Sequence, residues 1–178
     1  MDAFNIHGNR KLTGEVVIAG AKNVALKTFV ASLLTDEEIT IKNVPHIRDV
    51  LVMLDVMKHL GVQTRIDDHV VHIKNGTLKE TTVPLDVVAR LRTSSMVIGP
   101  LLARFGEARV PNPGGCRIGA RPIDRHIEGL KLMGADISYD SSDGYFHAKA
   151  TKLRGVNYTF PKNTHTGTET LLLAAVLH

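Results

Sequence analysis

The 178-residue chain has one cysteine, no tryptophan and only 4% aromatic residues. One thiol cannot close an internal disulfide, so the sequence reads as a protein of a reducing, cytoplasmic compartment. With few aromatics and no interleaving of rings with basic residues, it lacks the usual stacking platform for nucleic acid. No apolar run reaches the roughly 18 residues of a membrane span, and Met1-Asp2-Ala3-Phe4 opens no basic-then-apolar leader. Charge of one sign is also scarce: 22 Lys and Arg against 18 Asp and Glu leave +4. That excess is too mild to argue for nucleic acid, but it suits a small anionic substrate if the arginines converge on one cleft. The nine histidines form no HxxxH and no Cys/His cluster, so no metal site is expected.

What the chain does have is 43% hydrophobic residues, with a mean hydropathy near zero, enough for a real core. It also repeats itself. IRDVLVMLDVMKHLGVQTRIDDHVVHI (47–73) has a partner in PIDRHIEGLKLMGADISYDSSDGYFHA (122–148). Gly61 maps to Gly134 at an offset of 73, and His72 to His147 at 75. In each copy an amphipathic helix is followed by a glycine stop and a strand–turn–strand. Val50, Leu54, Met57 and Leu60 make the apolar stripe of the first helix, and Ile123, Ile127, Leu130 and Met133 that of the second. Gly61 and Gly134 sit where a helix end calls for positive φ.

A further apolar helix precedes each copy, at 23–34 and 93–105, and a third closes the chain at 166–177. Each unit reads helix, strand, helix, strand, strand over about 70 residues, an α/β repeat. The units run roughly over 12–80, 81–152 and 153–178, the last incomplete, about two and a half units in all. Leu171, Leu172 and Val176 are expected to lack part of their cover, as in an N-terminal piece of a longer protein.

The loop PNPGGCRIGARPIDRH (111–126) follows a strand-like GEARV segment and holds the sole cysteine. Pro111 and Pro113 keep it irregular, while Gly114 and Gly115 permit close backbone approach to a ligand. Cys116, beside Arg117 and Arg121, is either a small turn residue or a thiol whose thiolate is favoured by positive charge. Pro122 suits a first helical position, and the helix start below it can receive an anion with Arg121 as a planar donor fork.

GEVVIAGAKNVA (14–25) reads as a strand at Glu15–Ile18, a small-residue turn and a helix start, with Asn23 a possible N-cap and Lys22 a point charge for a phosphate. It has neither the Walker A nor the GxGxxG spacing. Arg92 opens the second unit's helix as Lys22 opens the first, and Lys162-Asn163-Thr164-His165 precedes the third. Three polar or basic helix starts at corresponding places point to one common edge.

With those residues assembled, the chain resembles the enolpyruvyl transferases, and among them the UDP-N-acetylglucosamine 1-carboxyvinyltransferases of peptidoglycan synthesis. The likeness runs through GEVVIAGAKNVAL, LRTSSMVIGPLLARFG and, most specifically, PGGCRIGARPIDRHIEGLKLMGA. It implies an inside-out α/β barrel of βαβαββ units in two domains, of which this chain would cover most of the first. It also implies transfer of the enolpyruvyl group of phosphoenolpyruvate to the sugar 3-hydroxyl with release of phosphate, needing no redox cofactor and no obligatory metal. By matching motifs, Cys116 would protonate the phosphoenolpyruvate methylene carbon, could form a covalent adduct with it, and would be the target of fosfomycin. Lys22, Asn23 and Arg121 would bind phosphoenolpyruvate. Arg92, Arg121, Pro122, Ile123, Asp124, Arg125, Lys162, Asn163, Thr164 and His165 would bind the UDP-sugar.

The second domain would supply the aspartate base for the sugar hydroxyl and further arginines, so this chain alone is expected to be inactive. One departure is that KNTHTGTET is a residue longer than the family's run after the lysine, leaving the register of 162–167 open by one position. Two other readings stay open: an enzyme like 5-enolpyruvylshikimate-3-phosphate synthase, and a non-catalytic nucleotide-sugar binding fragment.

Overall fold

The computed structural model describes residues 3–76, 78–88, 91–113 and 122–178. Two copies of one arrangement follow each other. In the first, helix α1 (Lys22–Ser32) leads to β1 (Ile39–Ile41), α2 (Arg48–His59), β2 (Gln63–Asp67) and β3 (Val70–Lys74). After a short helix α3 (Leu85–Val88), a 3-10 segment (Arg92–Val97) runs into α4 (Ile98–Phe105), followed by β4 (Glu107–Pro111), α5 (Asp124–Leu132), β5 (Asp136–Asp140) and β6 (Tyr145–Lys149). Helix α6 (His165–Ala175) opens a third copy. The strands form two antiparallel sheets ordered β1-β3-β2 and β4-β6-β5.

The expected stripes are buried: Val50, Leu54 and Met57 on α2 with Leu60 just after it, and Ile123, Ile127, Leu130 and Met133 beside or on α5. Gly61 and Gly134 take φ of 91° and 104°, the left-handed geometry that glycine reaches without a Cβ penalty. The change of offset between the copies lies in the hairpins. β2 and β3 are joined through Asp68-His69, whereas β5 and β6 are joined through the longer Ser141–Gly144.

Helices α1, α4 and α6, which begin the three copies, gather in the middle. α1 packs on the 3-10 segment, and α6 packs on that segment, α4 and α5. One apolar core runs through both copies and includes Leu26 and Phe29 of α1, Leu101 and Leu102 of α4, and Ala174 of α6. α4 and α6 approach so closely that a Cβ on Gly99 would stand 2.7 Å from the Thr170 carbonyl oxygen. Lys27 of α1 pairs with Glu169 of α6. At the other end of α1, the buried Asn75 amide donates to the carbonyls of Ser32 and Thr35 at 2.5 and 2.8 Å, satisfying acceptors that a helix end leaves open.

Three local expectations change. The segment 15–18 is not a strand, and Val17 is 89% exposed. A strand needs a paired edge, and the second copy shows what supplies it: residues 81–83 run parallel to β4, with Arg109 N donating to the Thr81 carbonyl and Val83 N to the Arg109 carbonyl. Asn23 is not a cap; α1 begins one residue earlier, after Ala21, and the chain entering it is tied by Gly20 N donating to Asn43 Oδ1 at 3.2 Å. The single helix expected over 93–105 starts as 3-10 turns. Pro100 lies in the first turn of α4, where its ring crowds the carbonyl four residues back and tightens the backbone before it.

The last helix has Leu172 63% exposed and Val176 60% exposed, while Leu171 packs against Gly129 and the core. No helix among the described residues is long and apolar enough to cross a membrane.

Candidate functional site

The starts of the 3-10 segment, α5 and α6 come together around His126. This imidazole lies on the first turn of α5 and is 5% exposed. Its Nε2 is 2.9 Å from Thr166 Oγ1 on the first turn of α6. Burial, and next the positive charge of Arg92, lower its pKa from 6.5 to about 4, because both disfavour a second cation there. Arg125 adds to the same effect and Asp124 opposes it. His126 is therefore neutral at pH 7, and the positive charge of the cluster rests on Arg92 and Arg125.

The expected site residues fall into distinct places. Arg92, half-buried, begins the 3-10 segment. Asp124 begins α5, not Pro122, which is exposed and lies before the helix, and Ile123 is a core side chain at the N-cap position. Thr164 caps α6, its Oγ1 accepting from Gly167 N at 3.1 Å. Lys162 and Asn163 are exposed ahead of that cap, and His165 is its exposed first residue. This supplies α6 with a helix start whose remaining N–H groups can face an anion. Lys22 is held by Asp49 of α2, Nζ to Oδ2, at 2.9 Å, and Asn23 is exposed on the first turn of α1.

Cys116 and Arg121 lie outside the described residues, as does the rest of 114–121. Their flanks are placed: Asn112 N donates to the Gly144 carbonyl at 2.9 Å, and the chain returns at Pro122, just before α5. The loop thus joins the end of β4 to the helix that carries His126.

Sequence reasoning passed over His126 and Thr166 as site residues. The Asp-x-His order was visible in the motif, but a histidine beside Ile127 reads equally well as part of the apolar stripe. Asp49 was passed over too, since a first-turn aspartate is common helix chemistry.

Residues 6–178 match the family described as EPSP synthase (3-phosphoshikimate 1-carboxyvinyltransferase). The chain belongs to the EPSP synthase family. Its fold is that of the enolpyruvyl transferases. The enolpyruvyl transferase NikO from Streptomyces tendae superposes with a TM-score of 0.77 at 22% identity, over 95% of this chain and 40% of that one. EPSP synthase from Acinetobacter baumannii superposes in two structures, with TM-scores of 0.75 and 0.71 at 21% and 20% identity, each over 96% of this chain and 39% and 40% of theirs. This chain therefore spans about two fifths of the length of these three solved structures.

The Lys22–Asp49 pair of this EPSP synthase family chain is half exposed, with side-chain exposures of 50% and 35%. Pairs of that kind contribute little to stability. A double-mutant cycle of Lys22→Met and Asp49→Asn, followed by urea unfolding, is expected to return a coupling below about 1 kcal/mol. A larger value would make the pair a structural element, not a lysine available to a ligand.

Proposed function

We propose that the chain forms part of an enzyme that transfers the enolpyruvyl group of phosphoenolpyruvate to the 3-hydroxyl of UDP-N-acetylglucosamine, releasing phosphate, as in peptidoglycan synthesis. Membership of the EPSP synthase family supports enolpyruvyl transfer in general. The observation that carries the narrower reading is the Gly-Gly-Cys-x-x-Gly-Ala-Arg-Pro run between β4 and α5. That run stands in the sequence directly before α5, whose first turn carries Arg125 and His126, and His126 meets Arg92 and the entry of α6.

Lys22, Asn23 and Arg121 bind phosphoenolpyruvate in this reading. Arg92, Arg121, Pro122, Ile123, Asp124, Arg125 and the 162–165 stretch bind the nucleotide sugar. Neutral His126 adds no charge of its own, and its bond to Thr166 joins the entries of α5 and α6. Cys116 donates a proton to the methylene carbon of phosphoenolpyruvate while the sugar 3-hydroxyl, giving up its proton to a base from the rest of the enzyme, attacks the adjacent carbon. The tetrahedral adduct then loses a proton and phosphate to restore the double bond. Fixed cations near the departing phosphate stabilise the charge that develops there.

The test reads residues of this chain alone. Fosfomycin added to the purified protein is expected to give a single covalent adduct by intact mass, mapped to Cys116, and UDP-N-acetylglucosamine should accelerate its formation. A thiol that reacts slowly and ignores the sugar would make this a non-catalytic fragment. Acceleration by shikimate-3-phosphate and not by the UDP-sugar would move the acceptor to that of the EPSP synthases named in the family description.

A further inference from the structure

The fold brings together three donors that lie apart in the sequence and outside the site above. His46 is in the loop before α2, and Asp68 and His69 form the β2–β3 turn. Each offers a ligand atom, and these atoms lie within 4.8 Å of one another. The two imidazoles stack with centroids 4.2 Å apart and an angle of 27° between their planes. Asp68 Oδ1 stands 3.8 Å from His46 Nε2 and 3.9 Å from His69 Nε2.

We propose that His46, Asp68 and His69 form a surface site for a divalent transition cation of the zinc type. Two imidazoles and a carboxylate are a donor set that such ions select. The backbone holds the two loops against each other: Val44 N donates to the His69 carbonyl at 2.8 Å. In return His69 Nδ1–H donates to the Val44 carbonyl at 2.7 Å. That second bond fixes the tautomer and leaves the Nε2 lone pair of His69 facing outward, the usual outer support of a ligating histidine.

Zinc–ligand bonds of about 2.0–2.2 Å place neighbouring donors about 3.3 Å apart, so the two distances to Asp68 of 3.8 and 3.9 Å must close by roughly half an ångström, and the two imidazoles must turn so that their nitrogens converge. All three residues are exposed, and side-chain rotation covers that distance. His46 must release its bond from Nε2–H to the Asp68 carbonyl, at 2.6 Å, and move its proton to Nδ1. His46, Arg48 and Asp68 line one adjoining cavity of about 370 Å³, and the charge of Arg48 there works against a cation.

A second trio, Asp140, Asp143 and His147, is unlike it. Asp143 is already taken up by Arg109 at 3.0 Å and His147 at 2.8 Å, and that arginine stands where a cation would.

Zinc titration calorimetry at pH 7.5, on the whole chain carrying Cys116→Ser to remove the thiol, tests the site. One micromolar site is expected. His46→Ala and His69→Ala should each weaken it at least about tenfold, Asp68→Asn several-fold, and Asp143→Asn not at all. Binding that is absent at millimolar zinc, unchanged in both histidine variants, or lost with Asp143→Asn would overturn the site. Circular dichroism of each variant separates loss of the ligand from loss of the fold.

Discussion

Phe29→Ala is expected to destabilise the protein by about 3–5 kcal/mol. Phe29 is fully buried on α1, the helix that packs against both α2 and the 3-10 segment before α4. Removing the ring forfeits its transfer from water and leaves a cavity lined by helices that cannot close up independently. Gly99 and Thr170 already hold α4 and α6 at a distance that admits no Cβ, so the central helices have little freedom to collapse inward. Urea unfolding followed by far-ultraviolet circular dichroism should show a lower midpoint at an unchanged slope. Val24→Ala, at a position 63% exposed on the same helix, should stay within about 0.5 kcal/mol. If the two variants unfold alike, α1 is not part of the common core.

The second large effect is pH-dependent and centres on His126. Its folded pKa of about 4 lies below the 6.5 of an unperturbed imidazole. As pH falls below 6.5, the unfolded chain takes up a proton that the folded chain refuses. Stability is therefore fully present above pH 6.5 and is lost as pH falls towards 4. The displacement corresponds to about 3 kcal/mol across that window. His126→Asn keeps a neutral polar group near Thr166 and removes the titration. The stability of wild type relative to the variant should consequently fall by about 2–2.5 kcal/mol from pH 7 to pH 4.5, most of the full displacement. A difference that stays constant over the window would show that His126 charges in the folded state.

Much of this architecture is legible from local chemistry. The stripe Val50-Leu54-Met57-Leu60 and its counterpart Ile123-Ile127-Leu130-Met133 report helix period and buried face together. Gly61 and Gly134 mark where those helices stop, and their shared offset reveals the repeat. The two hairpins follow from short alternating runs separated by turn residues.

Other features depend on partners far along the chain. Pro100 is plain in the sequence, yet only the packing of α4 on α6 shows that the residues before it wind as 3-10 turns. Glu15–Ile18 has a strand's alternation, but strand formation requires an edge to pair with. Residues 81–83 find one on β4, whereas 15–18 remain outside any sheet among the described residues. The ion pair of Lys22 with Asp49, the contact of His126 with Thr166 and the approach of His46 to Asp68 and His69 span 20 to 40 positions. The sequence by itself determined the repeat, the buried faces of its helices, the glycine stops of α2 and α5 and the residue types available near each helix start, since these depend on residues within a few positions of one another. Which of those groups meet, and which charges they hold when they do, was decided by the tertiary structure, because burial and through-space electrostatics depend on neighbours that no local pattern encodes.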